Sequence, residues 1–361
     1  MCNLNRQSGL GAGSVEQFRG YSLLELLISV TIGALLIIGV VSVFLAQSKA
    51  ATFSEQISQL QANGQFALTR LQRDLQSVGG IGLTYNKSTI RPTAVSGMIP
   101  KLTGNCFTTA TSNSDWALGS LAQSSGDPSA AIYGLDGSSA ASLFGPCLDG
   151  VSLEEESDII STHYIAAEEF TPSTLVAGGV YVHSGLGGGV IFQCAVAGDS
   201  CFTSLTDRRT DVTGTKIYKL VTHLYYVRTW NSNEDDDIPT LMRVAVDSDG
   251  SINHESLVAG VSTLQILYGF DSDEDGNVDQ YRKADQLDSF STSIGLSGDW
   301  MRIKSVRVSL LVETAQFQNN GLSDRAPINV EGHDIELRAG HIARLFSTTT
   351  AIRNPGRAGD V

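Results

Sequence analysis

Lysine and arginine are scarce in this 361-residue chain: 24 of them stand against 38 aspartates and glutamates, a formal net charge of −14. Phosphate binding needs a surplus of cations and no basic cluster appears, so nucleic acid is excluded as a partner. Catalytic signatures are missing as well. The histidines at 163, 183, 223, 254, 333 and 341 form no HExxH, and no serine sits in G-x-S-x-G. "SGLGGGV" at 184–190 lacks the lysine and hydroxyl of a phosphate loop and opens no helix, so it reads as a flexible turn. "LEEES" at 153–157 offers paired carboxylates of the kind glycoside cleavage uses, but nothing in the sequence places a second partner. His163, His183 and His223 lie in strand-like runs and read as sheet residues. The chain is therefore expected not to be an enzyme.

Charge is also absent from Leu26 to Ala46. Twenty-one residues at about 1.5 Å each give roughly 30 Å, the thickness of a bilayer core. A secretory signal would carry a shorter apolar core followed by a small-residue cleavage site, whereas here a second helical pattern follows. Phe53, Ile57, Leu60, Gly64, Ala67, Leu71, Leu75 and Val78 recur at spacings of three and four, one face of an amphipathic helix stopped by Gly79 and Gly80. A continuous helix from Ser22 to Val78 would run about 85 Å. The organisation read from this is a leader over 1–20, a membrane-spanning half over 21–46, an amphipathic half over 47–78 and a head over 80–361.

A single carboxylate, Glu25, stands at the front of the apolar run. An ionisable group there is costly toward the bilayer centre and asks for a partner. Cutting between Gly20 and Tyr21 would create one, the new α-amino group of Tyr21 in its own or a neighbouring chain. The alternative is that Glu25 lies among headgroups and complements the first turn. Gly20, the aromatic Tyr21, Glu25 and the apolar run resemble the class III leader of type IV pilins and type II secretion pseudopilins. The resemblance implies cleavage after Gly20 by a prepilin peptidase and methylation of Tyr21. Two features depart from the pattern: tyrosine stands where phenylalanine is usual, and the span has no helix-bending proline, only Gly33 and Gly39.

Five cysteines are present, with no CxxC and no histidine at zinc spacing. Loss of Cys2 with the leader would leave Cys106, Cys147, Cys194 and Cys201, an even number suited to two disulfides in an oxidising periplasm. Of three connectivities, Cys106–Cys147 and Cys194–Cys201 close local loops and are favoured over buried free thiols.

Beyond Gly80 the texture turns to Gly, Ser and Thr with short alternating runs, so the fold class expected is α+β: a long N-terminal helix packed on a β-rich, mainly antiparallel head. Strands are expected from Asp158, Gly178, Lys216, Leu241, Val261 and Arg302. In the last, Val306, Val308, Leu310 and Val312 alternate with Arg307, Ser309 and Glu313, the mark of a half-buried strand. "DSDG" at 247–250 reads as a hairpin turn joining two of these strands. Asp271, Asp273, Asp275, Gly276 and Asp279 match D-x-D-x-D-G-x-x-D, in which alternate carboxylates and the Asn277 carbonyl converge on calcium while the glycine takes the bend. The twelfth position is Arg282 rather than a glutamate, so the site is of non-EF-hand kind or the stretch is a solvated acidic turn. "NEDDDIP" at 233–239 has adjacent acids and reads as a solvated loop.

"PTLMRV", "ESLVAGVSTLQILYGFDSDEDGNVDQY", "GDWMRIKSVRVSLLVETA" and "RLFSTTTAIRN" occur in that order from residue 239 to 354 and resemble the landmarks of the PilW minor pilin family. The resemblance implies a low-abundance subunit that helps initiate type IV pilus assembly, perched in the inner membrane with its head in the periplasm and then carried into the pilus fibre. Its implied partners are other minor and major pilins, the prepilin peptidase and the assembly machinery. A J-like pseudopilin of type II secretion and a pilus-tip adhesin using residues 80–238 are the alternatives.

Overall fold

The computed structural model describes residues 21–80, 82–83, 90–92, 132–137, 148, 151–186, 188–205, 214–247, 249, 251–273, 275–287, 299–314 and 326–353. The chain falls into two units, Met1–Glu55 and Gln56–Val361.

Helix α1 runs from Leu23 to Ser77 without interruption. Its start is set by Ser22, whose Oγ accepts from the Leu24 amide at 3.3 Å. Within the first unit the side chains from Tyr21 to Glu55 are exposed except for half-buried Gly33, and the helix is long and apolar enough to cross a membrane. Ser29, Thr31 and Ser42 return their hydroxyl protons to the carbonyls of Leu26, Ile28 and Gly39, so none of these groups asks for water.

In the second unit the same helix buries one face: Leu60, Gly64, Ala67, Leu71, Leu75 and then Val78. The predicted face thus holds from Leu60 onward. Phe53 is exposed and Ile57 half-buried, while Gln56 and Asp74, which no apolar pattern selects, are buried. Gly64 is required by its neighbour, since a Cβ there would lie 2.5 Å from the ring of Phe346. Termination follows from Gly79 at φ 76°, a left-handed position that glycine takes without strain.

The remaining elements are β1 (Ile90–Pro92), β2 (Ile132–Leu135), β3 (Ile159–Phe170), β4 (Val180–Gly185), β5 (Gly188–Gln193), α2 (Asp199–Thr203), β6 (Lys216–Arg228), β7 (Thr240–Val246), β8 (Ile252–Ala259), β9 (Val261–Phe270), β10 (Gln280–Arg282), β11 (Ile303–Glu313), β12 (Ile328–Val330), β13 (His333–Ile335) and β14 (Ala343–Ala351). The fold is α+β and, apart from the parallel β1–β5 pair, the described pairings are antiparallel.

The larger sheet is organised by β6, which is long enough to have three neighbours. β3 pairs along one edge; on the other edge β4 takes residues 216–219 and β7 takes 223–228. A second sheet runs β10-β9-β11-β14, and β12 and β13 form a separate hairpin. One core joins Leu60, Leu71 and Leu75 of α1 to residues of both large sheets. A smaller cluster gathers Tyr181, Phe192 and Ile217 around Cys194 and Cys201.

The six expected strands are all present, but several others carry no clear pattern. The glycine-rich stretch is a tight hairpin turn rather than a loose one: Gly185 pairs with Gly188, and Gly188–Val190 already belong to β5. "DSDG" lies between β7 and β8, a strand absent from the expected set; the Asp247 amide donates to the Ser251 carbonyl at 2.9 Å, and Ser248 and Gly250 lie outside the described residues. β11 departs from half-burial. Ser309, Leu311 and Glu313 are as buried as the valines opposite, because Val330 and Ile335 pack on Leu311 and Arg338 meets Glu313.

Candidate functional site

Three groups of residues stand out on this framework. At the N-terminal end, Tyr21 is fully displayed, and Glu25 lies exposed in the first turn of α1. A carboxylate there complements the positive end of the helix dipole and leaves its oxygens available to a neighbour. Gly20 lies outside the described residues.

The second group was not legible in the sequence. Asp74, in the last turn of α1, is buried and accepts from His223 Nδ1 at 2.5 Å, from the Tyr164 hydroxyl at 3.1 Å and from the Tyr225 hydroxyl. The strand register explains the convergence: Thr162 pairs with His223, so Tyr164, His223 and Tyr225 project from one face of the β3–β6 ribbon. Burial pushes the Asp74 carboxyl up, but the hydrogen bond and charge of His223 and the two tyrosine hydroxyls outweigh it and hold the group below the ordinary carboxylate range. Burial and the Asp74 charge together raise both tyrosines far above the usual phenol range, so they act only as donors. The chain after α1 continues the attachment, with the Gly79 amide on the His163 carbonyl at 3.1 Å and the Ile165 amide on the Gly80 carbonyl at 2.9 Å. His163 projects to the opposite face, with Nδ1 3.0 Å from Thr222 Oγ1 and Nε2 3.2 Å from Ser161 Oγ. Burial lowers its pKa to about 4, so the ring is neutral. An aspartate one turn after Leu71 and next to Leu75 on a buried face is the one signal that points to this junction.

The third group is the acidic loop between β9 and β10. It is closed by the Asp279 amide on the Phe270 carbonyl at 3.0 Å, and Gly276 takes the bend at φ 93°. Asp271, Asp273 and Asp275 each present an oxygen within 4.8 Å of the others. Asp271 is wholly buried, accepts from the Gly276 amide at 2.9 Å and lies 3.3 Å from Lys304 Nζ. Asp279 does not join them. Its carboxylate is taken by the hydroxyl and amide of Ser272, which lower its pKa. The amide and side chain of Asn277 both bind Asp275. Arg282, at the twelfth position, turns to Asp299 at 3.5 Å and stacks on Phe270.

Of the expected disulfides, Cys194–Cys201 is formed, with S–S 2.07 Å. Cys106 and Cys147 lie outside the described residues. The 233–239 loop is more ordered than a solvated acidic run: Asp236 accepts from the amides of Asn231, Ser232, Asn233 and Ile238. Glu154 of the "LEEES" stretch comes near Glu313, but Arg338 Nε donates to Glu313 at 2.7 Å, so that carboxylate is already engaged.

An apolar, exposed N-terminal stretch of α1 thus runs on into a helix half that buries one face in a mainly antiparallel head. Residues 224–354 match the family model for type IV pilus-assembly protein W, and residues 17–41 match the prokaryotic N-terminal methylation motif. Over these two stretches the chain is similar to PilW-type pilus-assembly proteins and to proteins with a methylated N-terminus. A type IV-like pilin from Thermus thermophilus is similar at 9% identity over 57% of this chain and 83% of its own, with a TM-score of 0.26. No curated protein matches.

Proposed function

We propose that this protein is a minor pilin that primes pilus assembly together with other minor pilins. The leader is removed between Gly20 and Tyr21, the apolar part of α1 holds the chain in the inner membrane with its head in the periplasm, and the same surface then packs among neighbouring pilins in the fibre. The conjunction of a methylation motif over 17–41 with a PilW domain over 224–354 carries this reading. Glu25 supports it, being displayed one turn from Tyr21 where it can meet the α-amino group of a neighbouring subunit. The test is the mass and N-terminal sequence of the mature protein from membranes and sheared pili. A start at Tyr21 with one added methyl group is expected; survival of the leader, or a cut beyond Ala46, would remove the reading. Glu25→Ala should leave cleavage intact and lower incorporation, read by co-purification with other pilins.

The acidic loop is proposed to take calcium through Asp271, Asp273 and Asp275. Three carboxylates around one glycine bend suit a hard cation, whereas Lys304 already neutralises part of their charge and Asp279 faces Ser272. Full-length protein in detergent should melt higher in millimolar calcium than in chelator, and Asp273→Ala with Asp275→Ala should abolish the difference. At a free concentration tenfold above the dissociation constant the gain is about 1.4 kcal/mol. Superimposable curves would return the loop to a solvated turn.

A further inference from the structure

Strand β14 is the outermost strand of the sheet β10-β9-β11-β14. Its register with β11 runs unbroken from Ala343 opposite Glu313 to Ala351 opposite Ser305. The bonds at its two ends fix which backbone groups face β11: the Thr314 amide donates to the Ile342 carbonyl at 2.9 Å, and the Ile352 amide donates to the Lys304 carbonyl at 2.8 Å. Successive residues of a strand turn their amides and carbonyls to alternate edges. Arg344, Phe346, Thr348 and Thr350 therefore bond to β11, and the amides and carbonyls of Leu345, Ser347, Thr349 and Ala351 point out of the sheet. Among the described residues no second strand pairs with them, and all four are exposed.

Edges left like this are open to pairing with other chains, and proteins blunt them with short strands, charges, proline or bulges. The other outer strands follow that rule. β1 is short and ends in Pro92, β10 is short and carries Arg282, β2 is buried, and β8 carries His254 and Glu255 and meets β7 through a register shift. β14 has none of these: from Leu345 to Ala351 it holds no charge, no proline and no shift of register. It is also held still. The Phe346 ring lies against Gly64 of α1, Thr350 is buried, and Ser309 Oγ lies 2.9 Å from Ser347 Oγ. A fixed row of outward donors and acceptors is a template for an added strand.

Charge selects what is added. Arg344 and Arg353 stand exposed at the two ends of the row in a chain of net charge −14, and among the described residues no carboxylate pairs with either. Arg344 lies instead over the Phe346 ring at 5.6 Å. A second copy of β14 fits poorly: the antiparallel register that engages all four outward residues sets Leu345 opposite Ala351 and brings the Arg344 end of each copy to the Arg353 end of the other, like charge beside like. We propose that the free edge of β14 is a docking site for an extended segment of a different polypeptide, uncharged in its middle and acidic at both ends, which adds to the sheet as a further strand.

The test uses full-length protein in detergent and a fluorescent synthetic peptide of alternating threonine and valine, as long as β14 and with aspartate at both ends. It should bind about fivefold more tightly than the same peptide with lysine at both ends, and added salt should erase that difference. Amide exchange locates the complex: the amides of Leu345, Ser347, Thr349 and Ala351 should exchange rapidly in the protein alone and about tenfold more slowly with the peptide, while those of Phe346, Thr348 and Thr350 stay slow throughout. Thr349→Pro removes an outward amide and none that β11 uses, and should weaken binding about tenfold. Outward amides as protected as the inward ones in the protein alone would mean that the chain covers its own edge, and would overturn the proposal. So would equal affinity for the two peptides, or binding that leaves the outward amides unprotected. If Thr349→Pro fails to fold, exchange on the wild type decides alone.

Discussion

The two halves of α1 are one continuous helix with opposite relations to their surroundings. From Leu23 to Leu45 its leucines, isoleucines and valines are exposed, and the glycines at 33 and 39 have nothing within 4 Å of where a Cβ would stand. From Leu60 to Ser77 one apolar face, with Leu60, Ala67, Leu68, Leu71 and Leu75, is covered by the protein's own sheets while Phe66 stays exposed, Gly64 lies against a phenylalanine ring, and an ionised aspartate is drawn into the core. Helix propensity does not distinguish them. What differs is who supplies the apolar surroundings: the head for the second half, and under the proposed function lipid or neighbouring pilins for the first, since so large an apolar surface is not stable in water. Polar groups follow the same division. Hydroxyls in the first half are satisfied within the helix, while Asp74 in the second is satisfied across 149 residues of chain by His223.

The sharpest way to break this comparison is to remove the acceptor at the junction. Asp74→Ala strands the Tyr164 and Tyr225 hydroxyls and the His223 donor in a buried site, and destabilisation of about 3–5 kcal/mol is expected. Urea unfolding of the full-length protein in detergent would measure it. A loss under about 1 kcal/mol would mean that water reaches the site and that the junction is not a buried one.

A smaller effect comes from His163 on the other face of the ribbon. Its folded pKa of about 4 lies below the ordinary histidine value, so the unfolded chain takes up a proton that the folded chain refuses. Stability should therefore fall as pH drops from about 6.5 to about 4, by about 3 kcal/mol in all. His163→Gln should remove that component of the acid slope. An unchanged slope would show that the ring is hydrated rather than enclosed.

The smallest effects come from the glycines and bear directly on the contrast. Gly64→Ala gains helix propensity but drives a methyl into the Phe346 ring, for a net loss of about 1–2 kcal/mol. Gly39→Ala meets nothing in the isolated chain and should stabilise the helix by up to about 1 kcal/mol. If Gly39→Ala nonetheless lowers incorporation into pili, as read by recovery in sheared fibres, a neighbouring subunit approaches the helix at that glycine.

Sequence reading reached furthest where a local period carried the information. The uncharged run, the three-and-four spacing up to Val78, the glycine stop and the alternating strands β3, β6, β7, β9 and β11 are each written in consecutive residues, and side-chain projection repeats with a fixed period in helices and strands. β5 and β14 were not legible as strands, the one because glycines erase its alternation and the other because serines and threonines carry little hydrophobic contrast. Likewise the Cys194–Cys201 bridge, seven residues apart, follows from local spacing.

The chain by itself therefore determined the helix, most of the long strands and the acidic loop with its bend at Gly276. Tertiary structure alone decided that β6 serves three neighbours, that Glu313 and Ser309 are enclosed, that Asp279 leaves its three acidic companions, and that Asp74 meets His223 and Tyr225. The physical reason is that a hydrophobic period is a property of neighbours in sequence, whereas the partner of a buried charge is a property of neighbours in space, chosen only when distant strands come into register.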